Sequence, residues 1–579
     1  MARRTRSAWR ATALAIALAV PVAAAAMPAA ASGFAGAYLA GIHADLRDDY
    51  AAAADFFARA LRLDPDNIGL MQNVVASRIA AGDVEDALEP ARRLAEAMPA
   101  NQIAGLALLA DELAEGDFDA AAARAADPAL NLNPLLAGLV SGWIEVGRED
   151  FAAAQTRFDA LDGNEALRAY AQYHKALALA LAGDFVSAEA ILAGDDDGPL
   201  HPDRDALIAH AEVLAQMERE ADALALIEEA IATGFPDIAL IDLRERLEAG
   251  REIPFAQVTR AADGAAEAFV TLAVALNTED ADRFALIYTR LAAHIRPDLA
   301  KANLLAAEIL ERHEQYDLAT EALADLPVDS VWFVTAEMRR ANTKRLAGDV
   351  DGGIATLEDL TERYPGTIEV HSALGDALRM AERFEEAAEA YGRAIDLVET
   401  PSQVHWPLFY ARAIAHERAG NWDQAEADFR RALELEPDQP LVLNYLGYSL
   451  VEQRRNLDEA LDMIERAVAG QPDDGYITDS LGWVLYRLGR YEEALPHMLR
   501  AVELLPSDPI INDHLGDVLW MVGREREARF QWRRALSFGP ADDLDMDRIR
   551  RKLEVGLDRV KEEERAEERV RERSAGTEL

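Results

Sequence analysis

Cysteine is absent from the 579 residues of this chain. That removes disulfides, thiolate nucleophiles, cysteine-type zinc sites and lipid attachment through an N-terminal cysteine. Lysine is nearly absent too, confined to Lys175, Lys301, Lys344, Lys552 and Lys561, so arginine carries most of the positive charge. Positive charge as a whole is in deficit: 59 Lys and Arg face 104 Asp and Glu, for a formal net charge of −45. A surface of that sign repels nucleic acid and anionic lipid. Alternating apolar runs bounded by turns, the mark of strands, are missing as well.

Catalytic and metal-binding patterns are equally scarce. The histidines are scattered, none in a His-Glu-x-x-His pair, and His497 and His514 fall on helix positions where a partly buried histidine is the commoner role. "GDDDG", Gly194–Gly198, opens like a calcium loop but lacks its closing glutamate, so an acidic turn is the favoured reading. "DGG" at Asp351–Gly353 is no phosphate loop, and no Gly-x-Ser-x-Gly elbow occurs. No catalytic residue, cofactor or metal site is assigned.

What is present is a period. Gly482, Ala494, Ala501 and Pro506 are separated by 12, 7 and 5 residues, and the same frame returns 34 residues on as Gly516, Ala528, Ala535 and Pro540. Ala413, Ala425, Ala432 and Pro437 keep it upstream, as do Gly41, Ala53, Ala60 and Pro65. Gly447, Ala460, Ala467 and Pro472 keep it with one extra residue, expected in a turn near Asn456. Between the small residues, apolar positions recur at three and four, as in Leu481, Val484, Leu485 and Leu488, which is helical spacing. Gly489 supplies the turn and Pro506 the stop. The frame predicts an all-α solenoid of stacked antiparallel helix pairs, with about fourteen units, some degenerate, because one pair cannot bury both its faces.

The frame, with Leu481, Gly482, Leu485, Ala494, Ala501 and Pro506, resembles the tetratricopeptide repeat, closely over residues 368–542 and 34–101 and more weakly over 102–367. The resemblance implies a right-handed superhelix whose inner wall is lined by the first helix of each pair. It further implies that residues one and four places after the small glycine project into that wall. In this chain those are Tyr448 and Val451, Trp483 and Tyr486, and Asp517 and Trp520. Asn444, Asp479 and Asp513, three before each glycine, are expected to join them. Aromatic rings among acceptors suit a protein or extended peptide, neutral or basic. Two other readings stay open: the rings pack between repeats, and Asp479 and Asp513 start helices.

The ends differ from the array. Arg3, Arg4, Arg6 and Arg10 precede an apolar stretch, Ala11–Ala26, and small residues at Ala29–Ala31, the pattern of a cleavable secretory leader, 1–31. The alternative, a retained anchor, is short for a bilayer and contains Pro21. Cleavage removes four arginines and no acid, taking the net charge from −45 to −49. The expected organisation is a leader at 1–31, repeats at 32–237, an irregular connection at 238–264 that bends the solenoid or is a degenerate repeat, repeats at 265–542, and a capping helix with a charged tail at 543–579. Met546, Ile549, Leu553, Leu557 and Val560 give the cap its apolar stripe.

The segments "NYLGYSL", "DSLGWVLYRLGRYEEAL" and "HLGDVLWMVGREREARFQWRRAL" are similar to a bacterial envelope subfamily that includes an adaptor for a periplasmic carboxyl-terminal processing protease. That likeness implies a non-catalytic scaffold in the periplasm, although the anchoring cysteine of the lipoprotein adaptor is missing here. The alternatives are a chaperone-type peptide receptor, whose carboxylate clamp needs Lys or Arg where this chain has Asp479, Asp513 and Asp517, and an enzyme with an unrecognised site.

Overall fold

The computed structural model describes residues 33–161, 163–194, 200, 204–232, 238–277, 281–324, 326–328, 330, 332–540 and 544–575. Among them every regular element is helical, and no strand occurs. The leader expected at 1–31 and the acidic run at 195–198 lie outside the described residues. The chain forms two compact units, Met1–Leu360 and Thr361–Leu579, so the connection expected at 238–264 falls inside the first unit. Within that connection, Ile238–Glu248 is a helix and residues 249–260 are non-helical.

The second unit contains five helix pairs: Ile368–Met380 with Phe384–Asp396, Trp406–Arg418 with Trp422–Leu435, Pro440–Glu452 with Leu457–Gly470, Gly475–Arg487 with Tyr491–Leu504, and Pro509–Met521 with Glu525–Phe538. The small residues do in the structure what their spacing requires. A β-carbon at Gly482 would stand 2.8 Å from Met498 Cγ, one at Gly516 2.4 Å from the Trp532 ring, and one at Gly375 2.7 Å from the Tyr391 ring. Each glycine is thus the floor beneath a large side chain 16 residues on, and Gly41 under Phe57 and Gly142 under Phe158 repeat the arrangement in the first unit. The extra residue near Asn456 lies where expected: Arg454 (φ 56°) and Asn456 (φ 46°) both take the left-handed conformation in the turn before Leu457. Gly489 (φ 77°) fills the equivalent turn, where no side chain opposes that conformation.

The first unit departs from a simple solenoid, in which each repeat touches only its neighbours. Helices Ala261–Ala275 and Asp282–Ile295 pack on the first helices of earlier pairs, the former on Pro134–Gly147 and Glu165–Leu181, the latter on Ile68–Ala81 and Gln102–Glu115. The inner face of these first helices is therefore filled by the chain itself. The cause is composition. "AADGAAEAFVTLAVA" offers no polar face to water, and every residue from Ala262 to Ala273 is buried.

Some of the polar groups carried into that interior are paired. Trp143 Nε1 donates to His174 Nδ1 at 2.9 Å, and His174 Nε2 meets Thr271 Oγ1 at 3.0 Å. Burial, aided by the charge of Lys301, drives the His174 pKa down to about 3, so the ring is neutral. Arg283 holds Asp45, and His313 Nδ1 stands 3.0 Å from Asp48, joining residues more than 200 positions apart in the sequence. Among the described residues no helix is long and apolar enough to cross a membrane.

Candidate functional site

The expected site rests on three first helices, Pro440–Glu452, Gly475–Arg487 and Pro509–Met521. Their starts are fixed by residues other than the expected binders. Asp474 accepts hydrogen bonds from the amides of Tyr476 and Ile477, Asp508 accepts from Ile511, and Pro440 and Pro509 occupy first-turn positions. Asp479 and Asp513 lie farther along and are free of capping duty.

Where the frame places the nine side chains is uneven. Val451 is 1% exposed and belongs to the core, because the position four after Gly447 faces the following repeat; it offers nothing to a ligand. Asp517 is fully buried as well, and Tyr486 and Asp479 nearly so. Tyr448, Trp483 and Trp520 are half-buried against the same core, and Asn444 is half-buried with no hydrogen bond to its Oδ1. The rings therefore pack between repeats and also border the wall.

Two clusters form. In the first, His514 Nδ1 lies 2.9 Å from Asp479 Oδ2 while its ring stacks on Trp483, whose other neighbour is Tyr486 at 4.8 Å between centroids. Trp483 Nε1 donates to Glu452 Oε1 at 2.9 Å. Burial alone would lower the His514 pKa. The carboxylates of Asp479, Asp513 and Asp517 outweigh it, and the pKa is raised.

The second cluster is filled from the C-terminal end of the chain. Helix Met546–Val555 sends fully buried Lys552 onto Asp513, at 2.9 and 2.8 Å, and onto Asp517 Oδ1 at 2.6 Å. Asp517 Oδ1 also accepts from Trp532 Nε1 at 3.0 Å, and Arg548 stands 3.5 Å from Asp517 Oδ2. Burial and the neighbouring Asp517 raise the Asp513 pKa against the pull of Lys552. The chain then breaks at Gly556 (φ 87°), where a β-carbon would stand 2.6 Å from the Trp520 ring. The last helix, Leu557–Ala575, returns along the wall: Asp558 accepts from Trp520 Nε1 at 3.1 Å, and Lys561 Nζ lies 4.5 Å above the Tyr486 ring and 3.8 Å from Met521 Sδ. The expected cap is thus two helices with buried, paired charge.

His514, Lys552 and Lys561 are the residues that the frame alone did not single out. A signal for two of them exists. Glu452 with Arg487, Asp479 with His514 and Asp517 with Lys552 are all opposite or complementary pairs 35 positions apart, and all three are in contact. Met546–Val555 therefore takes the place of a further first helix. Among the described residues no group of three or more His, Cys, Asp or Glu side chains is placed to hold a metal ion.

Tetratricopeptide-repeat family models match residues 358–538 and 335–367. The TPR repeat-containing protein PA4667 of Pseudomonas aeruginosa is 31% identical over 159 residues, 27% of this chain and 26% of that protein. The aspartyl/asparaginyl beta-hydroxylase of Mus musculus is 25% identical over 159 residues, 26% of this chain and 21% of that protein. The matched stretch spans about a quarter or less of the length of these curated relatives. Among solved structures, a chain of the APC/C hetero-tetramer Cut9-Hcn1 aligns over 91% of this chain and 97% of its own length, with a TM-score of 0.37 and 12% identity. The tetratricopeptide-repeat match is carried by residues 335–538.

Proposed function

We propose that the second unit is a non-catalytic protein-binding adaptor whose first-helix wall holds a basic segment of a partner protein. We further propose that the chain works in the bacterial periplasm once residues 1–31 are removed. The observation that supports the binding reading is the wall's treatment of the chain's own cations: Lys552 sits among Asp513 and Asp517, and Lys561 over the face of Tyr486. An ammonium group between acids or above a flat ring is the chemistry a basic partner segment would find. The same acids disfavour a carboxylate-binding chaperone receptor and nucleic acid. The likeness to an envelope protease adaptor gives a candidate process, while lipid anchoring through cysteine has no residue to use.

Lys552 is buried and belongs to the fold. Past Leu557 and Val560, which are buried, Lys561 is what the last helix lays on the wall, so Lys561 is the contact a partner displaces. The test uses a chain ending at Val560 and a synthetic peptide of residues 557–579 as a defined ligand that carries Lys561. The peptide should bind the shortened chain and not the intact one, and Tyr486→Ala should weaken it. Equal failure to bind both chains removes the wall as a site. Hydrolase and hydroxylase assays on the purified protein separate the adaptor from an enzyme with an unrecognised site.

A further inference from the structure

The first unit contains a cavity of about 550 Å³ between the turn Ala81–Asp86 and the helices that fill the wall, with Arg290, His294 and Glu321 in its lining. Arg290 is its unusual component. The side chain is 7% exposed, and the carboxylates that act on it, Glu321 and Asp83, do so without a hydrogen bond. Its one hydrogen bond is a long one, from Nη2 to the carbonyl of Leu318 at 3.4 Å, and Nε has no partner. A buried guanidinium with five donors is stable only when those donors and its charge are answered. Burial pulls its pKa down to about 10, partly offset at a distance by Glu321 and Asp83.

The cavity's second feature is the start of helix Val84–Ala97. Its cap, Asp83, makes no side-chain bond to the first-turn amides because Arg78 Nη1 holds it at 2.7 Å. The first amides of a 14-residue helix therefore open on the same space as the guanidinium. Gly82 brings the two together, since a β-carbon there would stand 3.3 Å from Arg290 Cζ. Around this electropositive floor the rim is acidic: Glu85, Asp86 and Glu321 are exposed and line the cavity, while His294 faces Asp111 at 3.5 Å.

A simple anion would meet the floor but be repelled by the rim, and a simple cation would meet the rim but be repelled by the floor. We propose that this cavity binds a small zwitterion of the α-amino-acid class, its carboxylate on Arg290 and the amides at Val84–Asp86, its ammonium group toward Glu85, Asp86 and Glu321. A space of this size lies within the range of small-molecule sites. The site lies wholly within the first unit and is independent of the wall in the second.

The intact protein is titrated with L-alanine, with sodium acetate and with ethylammonium chloride at matched ionic strength, reading heat and the thermal midpoint. L-Alanine should bind, and each half-molecule should bind at least ~10-fold more weakly. Replacing the exposed pair, Glu85→Gln with Asp86→Asn, should leave the unliganded midpoint unchanged and weaken L-alanine about 10-fold, yet strengthen acetate because the rim no longer repels it. That opposite response would not follow from a change in folding. Arg290→Lys should reduce binding of L-alanine and acetate alike. A cavity holding water only would give no response to L-alanine, and that result, or equal binding of L-alanine by the rim variant, overturns the proposal.

Discussion

The imidazole of His514 lies face to face on the indole of Trp483, with centroids 3.9 Å apart and planes 14° apart, while its Nδ1 points at Asp479. A ring pinned between an aromatic face and a carboxylate is held in one orientation and biased toward the protonated form.

That bias fixes a pH dependence. The folded pKa of His514 is raised above its unfolded value of about 6.5. The folded state therefore holds the proton more tightly, and this contribution is full below pH ~6.5 and disappears as pH rises through the folded pKa. His416 and His497, in the same unit, are lowered by burial, so they act below pH ~6.5 with the opposite sign. Denaturant midpoints of residues 361–579 within the full protein should fall between pH 6.5 and 9, and His514→Gln should flatten that slope. The charged groups facing the ring are Asp479, Asp513 and Asp517. An unchanged slope in the variant would show that another group titrates.

Lys552 offers a test of the cap. With the ammonium buried against two carboxylates, Lys552→Met leaves Asp513 without its ion-pair partner and Asp517 with only Arg548 at 3.5 Å, and breaking such a buried pair costs roughly 3–5 kcal/mol. Adding Asp513→Asn and Asp517→Asn to Lys552→Met should recover much of the loss. If the single substitution is nearly neutral in urea unfolding, the second cluster is wetter than its burial indicates.

Gly482→Leu tests the frame. The side chain would start 2.8 Å from Met498 Cγ, and overpacking of this kind costs about 1–3 kcal/mol. Because a repeat's stability depends on its neighbours, proteolysis should increase first within 440–540. Unchanged unfolding and cleavage would mean that Met498 swings aside freely.

How much of this was legible depends on the residue. Gly447, Gly482 and Gly516 announced paired helices because a missing side chain at fixed spacing has one use, close approach. Their large covers, Met498 and Trp532, leave no such mark, because a bulky apolar residue at helical spacing has many uses. The packing of helix 261–275 on earlier pairs is not given by the solenoid rule, which admits only neighbouring contacts; its lack of any polar face is the available sign. Val451 and Asp517 were assigned to an open wall by counting alone, which cannot tell the ligand side of a helix from the side the next repeat covers. Lys552 falls in the capping helix between Ile549 and Leu553 of its apolar stripe, where a lysine carries no sign of burial, and only its distance of 35 from Asp517, matching His514 and Asp479, ties it to the interior.

Trp483 decides between the two uses of the wall's aromatics. It is half-buried, stacked on His514 and Tyr486, and hydrogen-bonded to Glu452, so it serves packing and also borders the surface on which Lys561 lies. In a chain ending at Val560, Trp483→Ala should weaken binding of the 557–579 peptide by at least ~2 kcal/mol, the scale of an interface hot spot. The same substitution uncovers His514 to water, so the pH slope of stability should shrink in parallel; the two readouts separate lost contact from lost fold. Helix content must stay nearly constant for the binding result to count, and Tyr486→Phe, which removes only a buried hydroxyl without a partner, gives the control in which the ring face survives. Tyr486→Phe should bind the peptide as tightly as the parent. A folded Trp483→Ala variant that binds normally would leave this ring to the core and move the docking surface away from the first cluster.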